Sequence, residues 1–494
     1  MSPIDPGELA EPDLLDTREA GGVAMRGSVL RTASYVVGIL LSLISAHVLI
    51  THLGFSQFGR YTLVVALVTI VGGFTEGGLN SVVMREFSVL SGERRREMMA
   101  SAIGMRLVVT IVGVALAVAF AAVAGYGSTL VAGTAIAGVG LVIQLLQSTL
   151  STTLQSQLRF GWVSVFELAR QIVNVGLIVV LAALGAGVLP LVSVAVPASL
   201  VSLLVTIPLV LRYTSLRPSF HMGHWWRLLR ETIPWAVIAA VSIVYFRLAY
   251  VLMSLISGEL QTGYFATSFR VTEVLLGIPN LIVVAAFPIL ARAAREDSAR
   301  FDFASGRIFE LSLVAGTLLV MCLEVGAGFA IHVIAGAKSD PAISVLRIQG
   351  LALIASFVAV ACGYPMLMLR RFREVLLSNM IALAISAILT LSLAPPLGAR
   401  GTALAALVAE IGLAVSQVIM LKRAAPGVAM RPGTVAAVAL AGVAGAAAGL
   451  LLPIHPILGA ALAVVVYVGV LSLLRRLPAE VGELFGGRFA VLVR

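Results

Sequence analysis

Apolar residues in this chain follow neither the 3.6-residue rhythm of a half-buried helix nor the alternation of a strand. They fill long runs, punctuated by short clusters of Arg, Glu, Gly and Pro. Fourteen such runs are legible, at 29–52, 61–82, 102–124, 129–150, 163–184, 189–211, 233–256, 264–290, 308–334, 343–369, 374–394, 401–421, 434–452 and 457–474. Each is about 20 residues or longer, the length an α-helix needs to cross a hydrocarbon core. In lipid only a helix satisfies its own backbone polar groups, so the expected fold is all-α, a polytopic membrane protein of about 14 transmembrane helices. The short alternating segments of an outer-membrane barrel would not give runs of this length.

Two of the outer turns resemble each other. LGFSQFGRY (53–61) follows the first run and SGELQTGY (257–264) follows the seventh, so the chain opens twice with helix, short Gly-containing turn, helix. The predicted organisation is a pseudo-repeat of two six-helix lobes, 29–211 and 233–423, joined by a cytosolic linker at 212–232 and followed by an appended helix pair at 434–474 and a cytosolic tail at 475–494. Such six-plus-six repeats place a transport site between the halves near mid-membrane. The acidic, Pro-containing residues 1–28 lack the basic start and apolar middle of a signal peptide and are expected to form a disordered cytosolic tail.

Composition sharpens this. With 60% hydrophobic and 12% charged residues, the chain has no room for a separate soluble catalytic domain. A formal net charge of +10 would suggest a nucleic-acid partner in a soluble protein, but here position explains it. Of the 34 Lys and Arg, 26 fall on the side shared by the two termini, and only Arg60, Lys338, Arg347 and Arg400 on the other. The positive-inside rule therefore places both termini in the cytoplasm, with no nucleic acid implied. Cys322 and Cys362 sit in apolar runs and suggest neither a disulfide nor a metal site.

No phosphate-cradling loop, HExxH or GxSxG motif occurs, which disfavours an ATP-driven pump or an enzyme and implies no metal or cofactor. Ionisable residues inside the spans carry the remaining signal, since each costs at least ~2.5 kcal/mol at a helix centre unless paired or hydrated. Arg247 on the seventh span and Arg270 and Glu273 on the eighth fall at one depth. Two guanidinium forks and one carboxylate suit a diphosphate, or Glu273 merely neutralises Arg270 one turn away. Arg247 has no acidic residue within a turn of its own helix. Glu76 and Asn80, with Arg85 and Glu86 just beyond, flank Gly77 and Gly78, where the helix either breaks at a binding or gating site or packs closely. Glu324 and Glu410 are isolated carboxylates, each read as a proton-coupling group or a helix–helix hydrogen-bonding group. Glu167 and Arg170 are spaced to pair with each other, and Trp225 and Trp226 beside Arg227 and Arg230 read as an interfacial anchor.

Taken together, LGFSQFGRYTL (53–63), FTEGGLNSVVMRE (74–86) and GYFATSFRVTEVLLGIPNLIVVAAFPILAR (263–292) resemble the polysaccharide or O-antigen flippases of the multidrug/oligosaccharidyl-lipid/polysaccharide exporter superfamily. The resemblance implies a bacterial cytoplasmic-membrane protein that moves a polyprenyl-diphosphate-linked glycan to the outer leaflet by alternating access. It also implies a cationic cavity, and membrane lipids and other polysaccharide-assembly membrane proteins as partners. Glu76, Gly78, Arg85 and Glu86 match the family's second-span pattern, and Arg270, Pro279 and Pro288 its eighth-span pattern. Members often carry an acidic residue one turn after the Arg247 position, where this chain has Tyr250. On this reading Arg247, Arg270, Glu273 and Asn80 contact substrate, while Glu76, Glu324, Glu410 and Arg85 serve coupling or gating. A drug or cation antiporter of the same superfamily would want acidic and aromatic residues in the cavity instead of arginines. A membrane glycosyltransferase or polymerase would want a large loop holding catalytic acids.

Overall fold

A computed structural model of the chain describes residues 20–477, apart from 77, 91, 158, 212–216, 221, 337–338 and 453–454. All regular elements among these residues are helices: α1 (Ala20–Glu76), α2 (Leu79–Val89), α3 (Gly92–Val123), α4 (Ser128–Gln155), α5 (Phe160–Ala183), α6 (Val188–Ser193), α7 (Ala195–Val210), α8 (Met222–Ile256), α9 (Gly258–Leu275), α10 (Gly277–Glu296), α11 (Ser298–Ala335), α12 (Asp340–Met368), α13 (Phe372–Leu397), α14 (Ala399–Ala424), α15 (Pro432–Leu451) and α16 (Pro456–Leu473). Thirteen stretches are long and apolar enough to span a membrane. The first of them, Val36–Glu76, has 41 residues and a non-helical Gly54 at φ 70°, ψ 171°, so it counts as two crossings and the total agrees with the expected fourteen.

Some boundaries differ from the expected ones. The last proline of the N-terminal stretch is Pro12, and α1 is already helical from Ala20, inside the stretch expected to be a tail. Residues 1–19 of that expected tail, and 478–494 at the other end, lie outside the described residues. Helix α8 begins at Met222, within the expected linker.

The chain forms two compact units, one made of residues up to Ser45 together with Phe74–Ala236, the other of Ala46–Gly73 together with Val237 onward. In the first unit α4 packs between α3 and α7, and α5 packs on α7. Its core gathers Val83, Met99, Ala102, Leu150, Phe166, Val210 and Trp225. In the second, α12 lies against α11 and α14, α13 packs on α14, and the α15–α16 pair lies on α11. The Tyr467 hydroxyl seals that last contact by donating to the Val314 carbonyl at 2.9 Å.

Residues 46–73 join the second unit because the two related outer turns dock there. Each turn begins with a left-handed glycine, Gly54 at φ 70° and Gly258 at φ 80°, a conformation that only glycine adopts without strain. Five residues after each stands a second glycine. A Cβ on Gly59 would overlap the Glu259 carbonyl, and a Cβ on Gly263 would overlap the Phe55 carbonyl. The contact is thus reciprocal: the fifth residue after each hinge glycine meets the carbonyl of the first residue after the other. An Arg60–Glu259 ion pair at 2.6 Å and a hydrogen bond from the Ser56 hydroxyl to Glu259 at 3.2 Å reinforce it. Gly263→Val is expected to destabilise the protein by about 1–3 kcal/mol, the usual scale of overpacking, read as a lower thermal unfolding midpoint in detergent. Gly176→Ala, where an added Cβ meets nothing, is expected to leave the midpoint unchanged or higher. Equal midpoints for Gly263→Val and wild type would contradict the docked turns.

Candidate functional site

The second unit holds the strongest concentration of intramembrane charge. Arg247 projects from α8, and Arg270 and Glu273 from consecutive turns of α9. The Arg247 Nη2 donates to Glu273 Oε1 at 2.8 Å, and the Arg270 Nη1 donates to Glu273 Oε2 at 3.1 Å. One carboxylate is therefore shared by two guanidinium groups, each of its oxygens engaged, and the cluster keeps one net positive charge. The three residues expected at one depth do meet. The neutralising pairing expected for Arg270 is present, and Arg247 obtains the same partner from the neighbouring helix. Where relatives of the resembled family carry an acid, Tyr250 is buried against Phe265 and Phe269, with ring centroids 5.3 and 5.7 Å away. Its ring lies 6.0 Å from the Arg247 guanidinium, so an aromatic face stands where a carboxylate was expected.

Arg247 and Glu273 form part of the wall of a cavity of about 420 Å³, whereas Arg270 does not line it. The other polar side chains around it are Thr69, Ser242, Asn280, Ser356, Tyr364, Asn379, Glu410 and Gln417. The volume falls within the range of small-molecule sites. Sequence reasoning found Arg247, Glu273 and Glu410 but missed the neutral members. A single Asn or Gln barely lowers the hydropathy of a span, and only the packing shows that six helices aim neutral polar groups at one space.

Glu410 on α14 is buried and accepts hydrogen bonds from the Tyr245 hydroxyl of α8 and the Ser356 hydroxyl of α12, both at 2.8 Å. It also borders a second, smaller cavity of about 50 Å³ beside Gln349, Thr272 and Ser386. Gln349 is 4% exposed, and neither polar atom of its side chain has a hydrogen-bond partner. Glu324 on α11 lies apart from these cavities. Its Oε2 is 4.0 Å from Arg347 Nε on α12, and its buried Oε1 has no hydrogen-bond partner.

The first unit holds a different network. Helix α1 ends at Glu76 and α2 begins after Gly78, which has φ 79°; Gly77 lies outside the described residues. Arg106 on α3 is 1% exposed and reaches this interruption. It donates through Nη1 to the Thr75 carbonyl at 2.5 Å, through Nη2 to Asn80 Oδ1 at 2.7 Å and through Nε to Thr149 Oγ1 at 3.0 Å. The Asn80 amide nitrogen donates onward to Ser148 Oγ at 2.8 Å and to Glu76 Oε1 at 3.3 Å. Both ends of the Asn80 amide are thus engaged at the helix break. Arg85 is on α2, but its side chain lies outside the described residues.

A sequence profile of the polysaccharide biosynthesis protein family matches residues 48–344. The chain belongs to this family. No curated protein is similar to it in sequence. In three dimensions it resembles the lipid II flippase MurJ in an inward closed conformation, with a TM-score of 0.77 at 14% identity over 91% of this chain and 99% of that one. It also resembles an inward-facing multidrug resistance MATE family transporter, with a TM-score of 0.63 at 12% identity over 81% of this chain and 98% of the other. A third match is a transporter of the MOP superfamily from Pyrococcus furiosus, with a TM-score of 0.58 at 14% identity over 82% and 96% of the two chains. At these identities the likeness is one of fold, and the fold is that of multi-pass membrane transporters.

Within this polysaccharide biosynthesis family member the peripheral expectations separate cleanly. Glu167 and Arg170 pair with each other at 2.5 and 3.1 Å. Of the two tryptophans expected to anchor at the interface, Trp226 is exposed, while Trp225 is buried and donates to the Ser219 carbonyl at 3.1 Å. Among the described residues, no group of three or more His, Cys, Asp or Glu side chains is arranged to hold a metal ion. Arg106 is the residue sequence reasoning passed over. Its signal was the one noted for Arg247, an arginine in an apolar run without an acidic residue one turn away. Arg106→Met strands three buried acceptors and is expected to destabilise the protein by about 2–4 kcal/mol, given that hydrogen bonds to charged groups contribute ~1.5–3 kcal/mol each. Arg170→Met, at a partly exposed pair, is expected to cost less than about 1 kcal/mol. Comparable losses in denaturant unfolding would contradict the Arg106 network.

Proposed function

We propose that this protein is a flippase that carries a polyprenyl-diphosphate-linked oligosaccharide across the bacterial cytoplasmic membrane by alternating access, for polysaccharide biosynthesis. The observation that carries this reading is the Arg247–Glu273–Arg270 cluster beside a cavity lined in part by polar side chains, inside a bundle of membrane-spanning helices. Arg247 lines the cavity, and its pairing with Glu273 engages one of its five N–H donors, so donors remain for the oxygens of a diphosphate, while Arg270, off the wall, adds its charge to the cluster through Glu273. Glu273 holds both forks in place, which lowers the cost of keeping two cations in lipid. An incoming diphosphate, with its greater negative charge, competes with Glu273 for the Arg247 fork. The apolar polyprenyl tail has no need of the cavity and stays in the bilayer, so only the anionic and sugar parts need a polar path.

Family membership and a fold like that of a lipid II flippase support the same reading. The arginine bias toward the side of both termini supports cytoplasmic ends. Glu410, at the cavity wall and tied to two other helices, is the proposed coupling residue.

The test is the leaflet distribution of lipid-linked glycan in cells whose native copy is replaced by variants. Arg247→Gln and Arg270→Gln are each expected to slow export at least tenfold and to accumulate the lipid-linked glycan in the inner leaflet, at normal protein levels. Arg170→Gln is expected to export normally. Full export by the Arg247→Gln, Arg270→Gln double variant would overturn the diphosphate role of the cluster.

A further inference from the structure

The charged cluster occupies only part of the cavity wall. Seven of the remaining side chains are neutral and polar; besides Thr69 and Ser356, five come each from a different helix: Ser242 on α8, Asn280 on α10, Tyr364 on α12, Asn379 on α13 and Gln417 on α14. Helix–helix adhesion does not require this. The two hydrogen bonds among them that cross between helices are long, from Tyr364 to Asn280 Oδ1 at 3.3 Å and from Ser242 to Asn379 Oδ1 at 3.4 Å. The amide nitrogens of both asparagines instead donate to carbonyls of their own helices, at 3.1 Å for Asn280 and 2.8 Å for Asn379. Gln417 is 5% exposed, donates to Ser378 at 3.3 Å and leaves its Oε1 with no hydrogen-bond partner. Polar groups placed in a membrane-spanning bundle and left under-used point to a ligand that completes them.

The chemistry of the set selects the ligand. Amides and hydroxyls both donate and accept, which matches sugar hydroxyls and acetamido groups. A second anionic group would call for more guanidinium, and Arg247 is the one arginine on the wall. An organic cation would call for free carboxylates, but Glu273 is held by two arginines and Glu410 by two hydroxyls. Phe246 and Tyr364 add the aromatic surface on which a pyranose ring can lie.

Position agrees. Ser242 precedes Arg247 by five residues on α8, about 7–8 Å along the axis, and Asn280 follows Glu273 by seven, about 10 Å. Since α8 and α9–α10 run in opposite directions through the bundle, both steps lead the same way, toward the arginine-rich ends of the helices. The neutral set therefore lies to one side of the diphosphate cluster, at a spacing on the scale of a glycosyl diphosphate.

We infer that Ser242, Asn280, Tyr364, Asn379 and Gln417 form a glycan subsite that holds the sugar directly attached to the diphosphate. The inference rests on the flippase reading and adds recognition of the first sugar to it. The subsite selects for a lipid that already carries its glycan and against the bare polyprenyl diphosphate.

The test uses the full-length purified protein in nanodiscs and two probes, undecaprenyl diphosphate and undecaprenyl diphosphate bearing one N-acetylglucosamine. Wild type is expected to bind the glycosylated lipid at least tenfold more tightly, the scale of one or two hydrogen bonds. Asn280→Ala with Gln417→Leu is expected to remove that difference while affinity for the sugar-free lipid stays unchanged. Equal affinity of wild type for the two lipids, or a preference that survives the double substitution, overturns the glycan subsite and leaves the flippase reading standing. Binding of neither lipid by wild type overturns both. Should the double variant fold poorly, wild type alone decides, because only a sugar contact makes thermal stabilisation by the glycosylated lipid exceed that by the bare one.

Discussion

A polar group in hydrocarbon must find its partner inside the chain, because the surroundings offer none. That constraint accounts for much of this structure. It makes every span a helix, and it accounts for the partners that three groups of intramembrane charge have found. Arg106 caps carbonyl and amide groups at the interruption between α1 and α2, Glu273 is shared by two arginines, and Glu410 gathers hydroxyls from two other helices. Each interaction joins at least two helices, so each fixes geometry as well as neutralising charge. What separates them is the capacity left over. Arg106 spends its donors on the protein and serves structure, whereas Arg247 lies on a cavity wall with donors to spare.

Much of the fold was legible because membrane helices announce themselves through length and composition. All-helical architecture and about fourteen crossings follow from apolar runs alone. The kinship of the two outer turns was visible in LGFSQFGRY and SGELQTGY, and the positive φ of Gly54 and Gly258 is its structural counterpart. The allegiance of residues 46–73 was not visible. It arises from a contact between segments some two hundred residues apart, recorded only as two glycines at matching offsets.

The candidate site was legible in its charges and hidden in its neutral groups. Arg247, Arg270 and Glu273 stand out because each interrupts an apolar run, and helical rise placed them at one depth before any packing was known. Asn280, Asn379 and Gln417 leave almost no mark on hydropathy, and nothing in their spacing says that their three helices converge on one cavity. Asn80 shows the reverse case: a residue conspicuous beside a glycine pair proves to be occupied by Arg106, Ser148 and Glu76. Fold likeness covers transporters with different cargo, so the proposed choice of a glycan-lipid flippase over a cation exporter rests on the cavity wall, with its arginine-bound carboxylate and its amides.

The most direct measurement is movement of lipid-linked glycan in proteoliposomes containing only the purified protein, followed by access of a soluble sugar-modifying enzyme to the outer leaflet. The account predicts that the lipid-linked glycan becomes accessible at a rate that depends on the protein and falls at least tenfold when Arg247 and Arg270 are replaced by Gln. Protein-independent access, together with uptake of a cationic dye by the same vesicles, would contradict it and identify a cation antiporter instead.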